Sequence, residues 1–400
     1  MPDEPEPPVP RGWPKGFGDG DDERRALLSL SELRSLRPLL VHAEAWERGS
    51  AAGCLESIRR GGLGSDGDRA WLPQVDPDVT AARIEAALAR LVTPADPEYE
   101  DRLNDLRDPP ACLFLLGRPL GETPERVAIV GSRKCSNLGR DVAQDLGRAL
   151  VASGLAVVSG AAHGIDAAAH RGALQAAGRT VAVLGSGIDV AYPASSRELL
   201  EQIAENGTIV SEYPPAMPAG PQHFPARNRI VVALGRALVV VEGAAKSGSR
   251  ISVDHALDLG REIFAVPGPV TSPLAETPLE MIREGATLIR GADDLLDDLG
   301  IDRTAPAPAP PDLEDGERRV WDALLGGSLP DAVAREAGMS IPDAVTTLIQ
   351  LELRGLIESV GGRYERRHRP SAPAPRSGTA DSATESAARG RAVDPARRRC

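Results

Sequence analysis

The sequence predicts an α/β protein built on a doubly wound, mostly parallel sheet, with a small N-terminal helical module before the sheet and a C-terminal winged-helix domain after it. Apolar runs alternate with helical patterns through the middle of the chain. A Gly- or Ser-rich turn follows each of four such runs, at 127–130, 155–159, 180–184 and 237–241. Strands that are apolar along their whole length are typical of a parallel sheet covered on both faces. The carboxyl ends of these strands are therefore expected to open into one crevice.

The region before the sheet is predicted to consist of three parts. Residues 1–21 are rich in Pro, Gly and Asp, which predicts a disordered lead. Residues 22–62 carry apolar side chains at helical spacing and predict a helical module similar to SAM-like or helix-hairpin-helix folds. Residues 63–110 form a connector with a helix from Asp78 to Leu91. The sheet domain then spans 111–300, and residues 113–116 are expected to be its edge strand.

Within the sheet domain, helices are expected at 139–153, 164–177, 227–234 and 251–259. Five prolines between Pro214 and Pro225 predict a stiff, irregular loop. An Ala/Pro linker is expected at 301–313 and a winged helix at 314–368, whose wing turns at Gly361-Gly362. The Arg-rich stretch 369–400 predicts a disordered tail.

Composition limits the classes of function. The net charge of −12 disfavours indiscriminate binding of polyanions, although a local basic patch is compatible with it. Of the three lysines, Lys134 and Lys246 lie in glycine-rich turns. The four cysteines lack paired spacing, which predicts neither a zinc site nor a disulfide framework and fits a reducing cytoplasm. No apolar run reaches about 18 residues, so no membrane span is expected.

The basic residues of the turns indicate binding of phosphate. Gly131 lets the backbone approach a ligand, and Arg133 presents a planar fork to phosphate oxygens. The glycines of a dinucleotide fingerprint are missing, so a nicotinamide cofactor is disfavoured and no cofactor is predicted. The turn around Lys246 resembles a phosphate cradle but lacks the spacing of the nucleoside-triphosphatase loop, so ATP hydrolysis is not expected.

Two further segments carry candidate chemistry. Arg227 and Arg229 flank an asparagine after the proline loop, and Phe224 offers a face on which a base can stack. His163, Asp166 and His170 have helical spacing, but a capping Asp and a packed histidine are commoner than a metal site, so no metal is predicted. No nucleophile elbow and no Ser/His/acid trio occurs, so no catalytic residue is predicted.

Taken together, these turns resemble the bacterial DNA-processing protein A family (DprA, also called Smf) over about residues 126–296. The motifs occur in the family's order: Val127–Arg133, Ser159-Gly160, Gly164–His170, Val183–Gly187, Tyr192-Pro193, Ser211–Pro215, Phe224-Pro225, Arg227–Ile230, Lys246–Ser249 and Ala265–Gly268. The resemblance implies an extended Rossmann-like domain that binds single-stranded DNA. Members protect incoming strands during natural transformation, help to load the RecA recombinase, act as dimers and are not known for turnover chemistry.

The resemblance also implies which residues form the nucleic-acid site. They are Gly131, Ser132, Arg133, Lys134, His163, Gly164, Gly185, Ser186, Phe224, Arg227, Asn228, Arg229, Lys246, Ser247, Gly248 and Ser249. The sequence departs from the family at four places: His163 for arginine, Ser196 for asparagine, Arg250 for an apolar residue, and residues 277–279 for a Gly-Cys/Thr-Asn motif. His163 weakens one positive contact near neutral pH. The departures are compatible with a divergent paralogue that binds a different ligand.

Two alternatives stay open beside a non-enzymatic single-stranded DNA mediator. One is a nucleotide-binding or nucleotide-processing protein similar to the nucleoside monophosphate phosphoribohydrolases, whose glutamate is replaced here by Ile251 and Ser252. The other is a regulator that reads duplex DNA through the winged helix. The helix at 342–353 carries no Lys or Arg before Arg354, which disfavours reading of a groove.

Overall fold

A computed structural model of the chain describes residues 10–33, 36–245, 247–301, 313–324, 328–354, 356–360 and 362–366. The chain divides into two compact units, Met1–Pro310 and Pro311–Cys400. None of the helices in these described ranges is both long and apolar enough to cross a membrane.

The first unit is organised around one sheet, to which nine strands contribute among the described residues. In chain order they are β1 (Arg90–Val92), β2 (Leu113–Gly117), β3 (Arg126–Val130), β4 (Ala156–Ser159), β5 (Thr180–Leu184), β6 (Thr208–Ser211), β7 (Ala237–Val240), β8 (Glu262–Ala265) and β9 (Thr287–Leu288). Their order in space is β1-β2-β6-β5-β4-β3-β7-β8-β9. The β1–β2 and β2–β6 pairs are antiparallel and all the others are parallel.

Five helices precede the main part of the sheet. They are α1 (Asp21–Ser31), α2 (Pro38–Arg48), α3 (Ala51–Arg60), α4 (Asp66–Trp71) and α5 (Pro77–Ala86). The prediction of a disordered lead is wrong for residues 10–20, which pack on these helices. Phe17 is 1% exposed, and its ring stacks on Trp13 with the ring centroids 4.3 Å apart. Two large aromatic rings supply enough apolar area to order a segment that is otherwise polar. Residues 1–9 lie outside the described ranges.

Seven helices cover the two faces of the sheet. They are α6 (Asn137–Ala152), α7 (Ile165–Gln175), α8 (Arg197–Asn206), α9 (His223–Leu234), α10 (Gly248–Asp258), α11 (Glu276–Arg283) and α12 (Ala292–Asp298). Side chains of β3 alternate between the faces: Val127 and Ile129 pack with α6, α7 and α12, whereas Ala128 and Val130 pack with α9, α10 and α11. This arrangement confirms the predicted α/β, doubly wound, mostly parallel sheet.

The connector between the helical module and the sheet differs from its prediction. The helix predicted from Asp78 to Leu91 ends at Ala86, Leu88 has a positive φ of 54°, and the next residues form β1. β1 pairs with β2, so β2 lies inside the sheet rather than at its edge. Pairing with a neighbouring strand satisfies the backbone groups, and this contact overrides the helical spacing of the apolar side chains.

The proline-rich loop is shorter than predicted. α9 begins at His223 rather than at residue 227, so Pro225 is its third residue. A proline is tolerated there because N–H groups in the first turn of a helix have no acceptor within the helix. The earlier start places Phe224, Arg227 and Arg229 on one helix and thereby fixes the directions in which their side chains point.

The second unit is a winged helix, as predicted. Its helices are α13 (Asp315–Ala323), α14 (Pro330–Glu336) and α15 (Ile341–Leu353), followed by the antiparallel strands β10 (Ile357–Val360) and β11 (Arg363–Arg366). Val320, Val333 and Leu348 are fully buried in its core. Residues 302–312 of the linker expected at 301–313, Gly361 of the wing turn, residues 367–368, and the tail expected at 369–400 lie outside the described residues.

Candidate nucleic-acid interface

A crevice of about 520 Å³ lies at the carboxyl ends of the central strands. β3 has β4 on one side and β7 on the other, so the direction in which strands are added reverses at β3. Ligands of open α/β sheets bind at such a reversal. The crevice brings together nine of the residues predicted for the site: Gly131, Ser132, Arg133, Phe224, Arg227, Asn228, Ser247, Gly248 and Ser249.

A smaller recess of about 120 Å³ shares Arg133, Phe224 and Arg227 with the crevice. Its remaining wall includes three other predicted residues, His163, Gly185 and Ser186. The Ser186 hydroxyl donates to the carbonyl oxygen of Val190 at 2.7 Å and thus closes its own turn. Nε2 of the exposed His163 lies 3.3 Å from Oγ of Ser195. The recess is therefore shaped by turns more than by free polar side chains.

Gly164 lies beneath the crevice and sets the position of the turn after β3. It has a φ of +81°, a backbone conformation that L side chains rarely adopt. A Cβ atom at this position would come within 2.2 Å of the carbonyl oxygen of Ser132. Gly131 is equally confined, since its Cβ would lie 2.6 Å from Cγ1 of Ile165. These glycines let the turn that carries Arg133 pack directly on the start of α7.

Three side chains form a stacked group at the mouth of the crevice. The guanidinium carbon of Arg133 lies 4.7 Å from the centroid of the Phe224 ring. On the same ring, Tyr192 packs at a tilt with the centroids 5.1 Å apart. Arg133 and Tyr192 are both exposed. The group offers a planar cation and two aromatic faces, which are the surfaces on which unpaired bases stack.

Tyr192 was missed as a site residue by the sequence reasoning. The sequence feature that points to Tyr192 is its position directly before Pro193, in the segment that follows the turn after β5. The chain has only four tyrosines and four phenylalanines. An aromatic residue near a crevice is thus uncommon in this chain and points to a contact surface.

Arg227 forms part of the floor and is only 4% exposed. Its Nη1 donates to the carbonyl oxygens of Gly160 and Val183, at the ends of β4 and β5. A Cβ at Gly160 would lie 2.3 Å from the Arg227 guanidinium, so a glycine makes room for it. Among the described residues, Nε of Arg227 has no hydrogen-bond partner. Arg227 therefore ties two strand ends together and places a positive charge beneath the crevice.

The buried charges under the crevice influence one another. Burial lowers the pKa of Arg227 to about 10, and nearby Asp166 opposes that shift. Burial also raises the pKa of Asp166, which Arg227 and the Ala162 N–H counteract. At neutral pH the guanidinium stays protonated, since its pKa lies well above 7. With Arg133 at the mouth, the crevice presents positive charge at two depths.

Arg229 does not reach the crevice, which corrects the prediction that it contacts DNA. It is 2% exposed on the opposite side of α9. Its Nη2 donates to Oε1 of Glu212 at 2.7 Å, and its Nε lies 3.0 Å from Oδ2 of Asp108. Burial alone lowers the pKa of Arg229, but Glu212 and Asp108 outweigh burial and raise it. Arg229 is a buried ion-pair residue that joins α9 to β6 and to the connector.

The turn before α10 forms the opposite wall. Nδ2 of Asn228 donates to the carbonyl oxygen of Gly248 at 3.2 Å and thus links the second turn of α9 to the start of α10. The hydroxyls of Ser247 and Ser249 are hydrogen-bonded to each other. Small side chains at the start of a helix allow an anion to approach the N–H groups of its first turn. The predicted contact of Lys246 lies outside the described residues.

Lys134 is placed outside the crevice, with its side chain exposed. Its backbone N–H donates to Oγ of Ser132 at 3.1 Å and so shapes the turn. The structure thus separates two adjacent basic residues that the sequence pattern treats alike.

Residues of three of the four departures from the family pattern make their contacts outside the crevice. Thr277 is buried, and its Oγ1 donates to the carbonyl oxygen of Ala244 at 2.8 Å. Arg250 points away from the crevice and lies 3.3 Å from both Glu280 and Glu284. Ser196 is 4% exposed at the start of α8. None of these three side chains lines the crevice.

The histidine cluster does not form a metal site. His163 precedes α7, whereas Asp166 and His170 lie on it, and both are buried. Nδ1 of His170 lies 2.7 Å from Oγ1 of Thr180. Among the described residues, no group of three or more His, Cys, Asp or Glu side chains is arranged to hold a metal ion.

Acidification is expected to destabilise the protein through His170. Burial lowers the pKa of this histidine from 6.5 to about 3, and Arg227 adds to the shift. Since the unfolded state binds the proton first, the stability is present above pH 6.5 and is lost as the pH falls towards 3. Between about pH 7 and pH 5, urea unfolding is expected to show a loss of about 2 kcal/mol from this group. A His170→Gln variant is expected to lack that part of the loss, whereas His163→Gln retains it; equal losses in wild type and His170→Gln contradict the assignment.

Known proteins match both units. The family model for DNA recombination-mediator protein A matches residues 90–300, and the model for the DprA winged helix domain matches residues 304–363. A putative DNA processing protein DprA of Mycobacterium tuberculosis is 36% identical over 333 residues, which cover 77% of this chain and 86% of that protein. Protein Smf of Escherichia coli is 37% identical over 288 residues, which cover 69% of this chain and 77% of that protein.

A solved structure shares the fold of most of this chain. The X-ray structure of DNA processing protein A from Streptococcus pneumoniae is 32% identical in sequence and superimposes with a TM-score of 0.60. The superposition covers 69% of this chain and 96% of that one. The extended Rossmann-like fold is therefore common to both proteins.

Proposed function

Because this chain belongs to the family of DNA recombination-mediator protein A, we propose that it binds single-stranded DNA in the crevice and delivers that strand to recombination without breaking a bond in it. The group of Arg133, Phe224 and Tyr192 above the buried charge of Arg227 carries the proposal. The planar cation pairs with a phosphate or stacks on a base, and the rings stack on bases. The buried charge attracts the backbone without depending on its sequence.

The arrangement favours single strands over duplex. A base can stack on Phe224 or Tyr192 only when its own face is free, and in a duplex both faces are covered by neighbouring bases. Arg133 reaches this surface from a turn rather than from a helix that fits a groove. Binding is therefore expected to depend on backbone charge and unstacked bases, with little preference for sequence.

The absence of turnover is part of the proposal. In the crevice, Asp166 is 7% exposed and lies next to Arg227, which leaves it poorly placed to act on a substrate. Ser252 lines the crevice near the start of α10, where the phosphoribohydrolase alternative requires a glutamate. Release of a free base from a nucleoside monophosphate by the purified protein would contradict this part.

The proposal extends to partners and location. RecA recombinase is the expected recipient of the strand, and a second copy of the chain is expected to pair through the Rossmann-like domain. This protein and RecA are both expected to act in the cytoplasm, where the single strand is passed to the recombinase. These expectations rest on family membership, and co-purification with RecA and the mass of the protein in solution test them separately.

The test of the function compares an oligo-dT with a duplex of equal length. Fluorescence anisotropy at about 50 and 200 mM salt is expected to show tight binding of the single strand, weakened by salt, and at least about tenfold weaker binding of the duplex. The slope of log affinity against log salt reports the number of phosphates contacted, at about 0.7 per phosphate for a single strand. Equal affinity for both forms, or no binding of either, would overturn the proposal.

A further inference from the structure

A second cavity of about 390 Å³ lies between the N-terminal helices and the sheet, within the first unit. Most of its wall is apolar, with Leu27, Leu30 and Leu33 on one side and Met217 and Ala226 on the other. Its size falls within the range of about 300–1,000 Å³ that is usual for sites of small organic groups. The function proposed above does not use it.

An aromatic pair forms part of this cavity wall. The rings of Tyr213 and His223 stack with their centroids 4.1 Å apart and their planes inclined by 23°. Both residues line the cavity, and both are partly exposed. A stacked pair of this kind extends naturally by one more planar ring.

The charges around the cavity favour a ligand that carries phosphate. Glu212 is its acidic wall residue, and Oε1 of Glu212 accepts a hydrogen bond from Nη2 of Arg229 at 2.7 Å. Arg37 lies on the wall with an exposed side chain, and its guanidinium makes no hydrogen bond or ion pair to any described residue. Glu212 is thus already held in an ion pair, whereas Arg37 is a charged wall residue without a partner among the described residues.

Neighbouring residues at the start of α9 line the cavity and the crevice in turn. Pro221 lines the crevice and Gln222 lines the cavity; His223 lines the cavity and Phe224 lines the crevice. Successive residues of a helix point about 100° apart, so the first turn of α9 presents one aromatic ring to each side. The rings of His223 and Phe224 therefore belong to adjacent residues but line different cavities.

The distribution of aromatic residues also points to the start of α9. Of the four tyrosines and four phenylalanines in the chain, Tyr192, Tyr213 and Phe224 lie around the first turn of α9. Base stacking is worth about 1–3 kcal/mol per base and needs such rings. The chain has few aromatic rings, so the grouping of three of them around the start of α9 indicates a surface on which several bases can stack.

We propose that this second cavity is a base-binding subsite, in which the Tyr213–His223 pair stacks an unpaired base of the bound strand and Arg37 pairs with an adjacent phosphate. The subsite extends the path of the strand from the crevice across the start of α9. This inference rests on the proposed function, because it assumes that the crevice holds single-stranded DNA.

The experiment measures how affinity depends on oligonucleotide length in the full chain. An oligo-dT of about four nucleotides fills the crevice alone, and one of about twelve reaches both subsites. Tyr213→Leu is expected to weaken binding of the longer strand about five- to tenfold and to leave the shorter one unchanged. Tyr213→Phe keeps the stack and is expected to bind like wild type. Arg37→Ala is expected to reduce the salt slope of the longer strand by about 0.7, whereas Arg59→Ala, which removes an exposed arginine of α3 outside the cavity, has no effect.

Several outcomes would overturn the subsite while leaving the proposed function intact. Equal weakening of short and long strands by Tyr213→Leu means that the stack only positions α9. Unchanged affinity at both lengths means that the strand does not enter the cavity. If dTMP binds in a Tyr213-dependent manner but the longer strand shows no such dependence, the cavity serves a free nucleotide. Failure of the wild type to bind any single strand would instead overturn the proposed function itself.

Discussion

Replacement of Arg133 by alanine is expected to weaken binding of single-stranded DNA about ten- to a hundredfold for every sequence tested. Hydrogen bonds to charged groups contribute about 1.5–3 kcal/mol, and about 1.4 kcal/mol corresponds to a factor of ten. Arg133 is exposed at the mouth of the crevice and lies 4.7 Å from the Phe224 ring centroid, so its loss removes a charge and a stacking plane together. Anisotropy titrations at several salt concentrations measure both the affinity and the salt slope.

Two control variants distinguish the effect of side-chain position on affinity from the effect of charge. Lys134→Ala removes one positive charge from the next residue, which lies outside the crevice, and is expected to change the affinity no more than about twofold. Arg133→Lys keeps the charge but loses the planar fork, so an intermediate affinity is expected. If Lys134→Ala weakens binding as much as Arg133→Ala, the turn acts only through its net charge and the assigned geometry is wrong.

Replacement of Arg229 by methionine is expected to lower the free energy of unfolding by about 3–5 kcal/mol. Arg229 is 2% exposed and forms ion pairs with both Glu212 and Asp108. Removal of the shared partner leaves two carboxylates near the sheet without a counter-charge, and Glu212 is itself largely buried. Thermal and urea unfolding, followed by circular dichroism, measure the loss.

Arg250→Met is the matched control for Arg229. Arg250 also faces several carboxylates, but its side chain is 33% exposed and its ion pairs with Asp254, Glu280 and Glu284 are partly solvated. Its replacement is expected to cost no more than about 1 kcal/mol. Adding Glu212→Gln to Arg229→Met is expected to recover part of the lost stability, because the unpaired charge is removed. A stability of Arg229→Met equal to that of Arg250→Met would show that the buried pair contributes little.

The crevice could be placed from the sequence because its determinants are local. Apolar runs that end in Gly131, Gly160 and Gly243 predict strands that stop at one edge of a parallel sheet, and turn glycines predict close approach of a ligand. The connector was less predictable. The apolar spacing of residues 78–91 is helical, but β1 forms in its last part because β2 offers a partner there.

The sequence of this segment alone could not predict that Arg227 lines the crevice while Arg229 forms buried ion pairs. A helix that begins at residue 227 places both arginines in its first turn, and the sequence pattern predicts that both contact DNA. α9 begins at His223, and residues two apart on a helix point to different sides. One arginine is therefore directed to the crevice and the other to the interior.

By itself, the sequence determined the fold class, the crevice at the strand ends and the chemistry of its turns, since the period of apolar residues and the conformational demands of glycine act over a few neighbouring residues. Only the tertiary structure decided which basic groups face a ligand. Arg229 turns inward because Glu212 and Asp108, which lie 17 and 121 residues away in the chain, are brought to it by folding. The energy of a buried charge depends on such distant partners, and no local pattern records them.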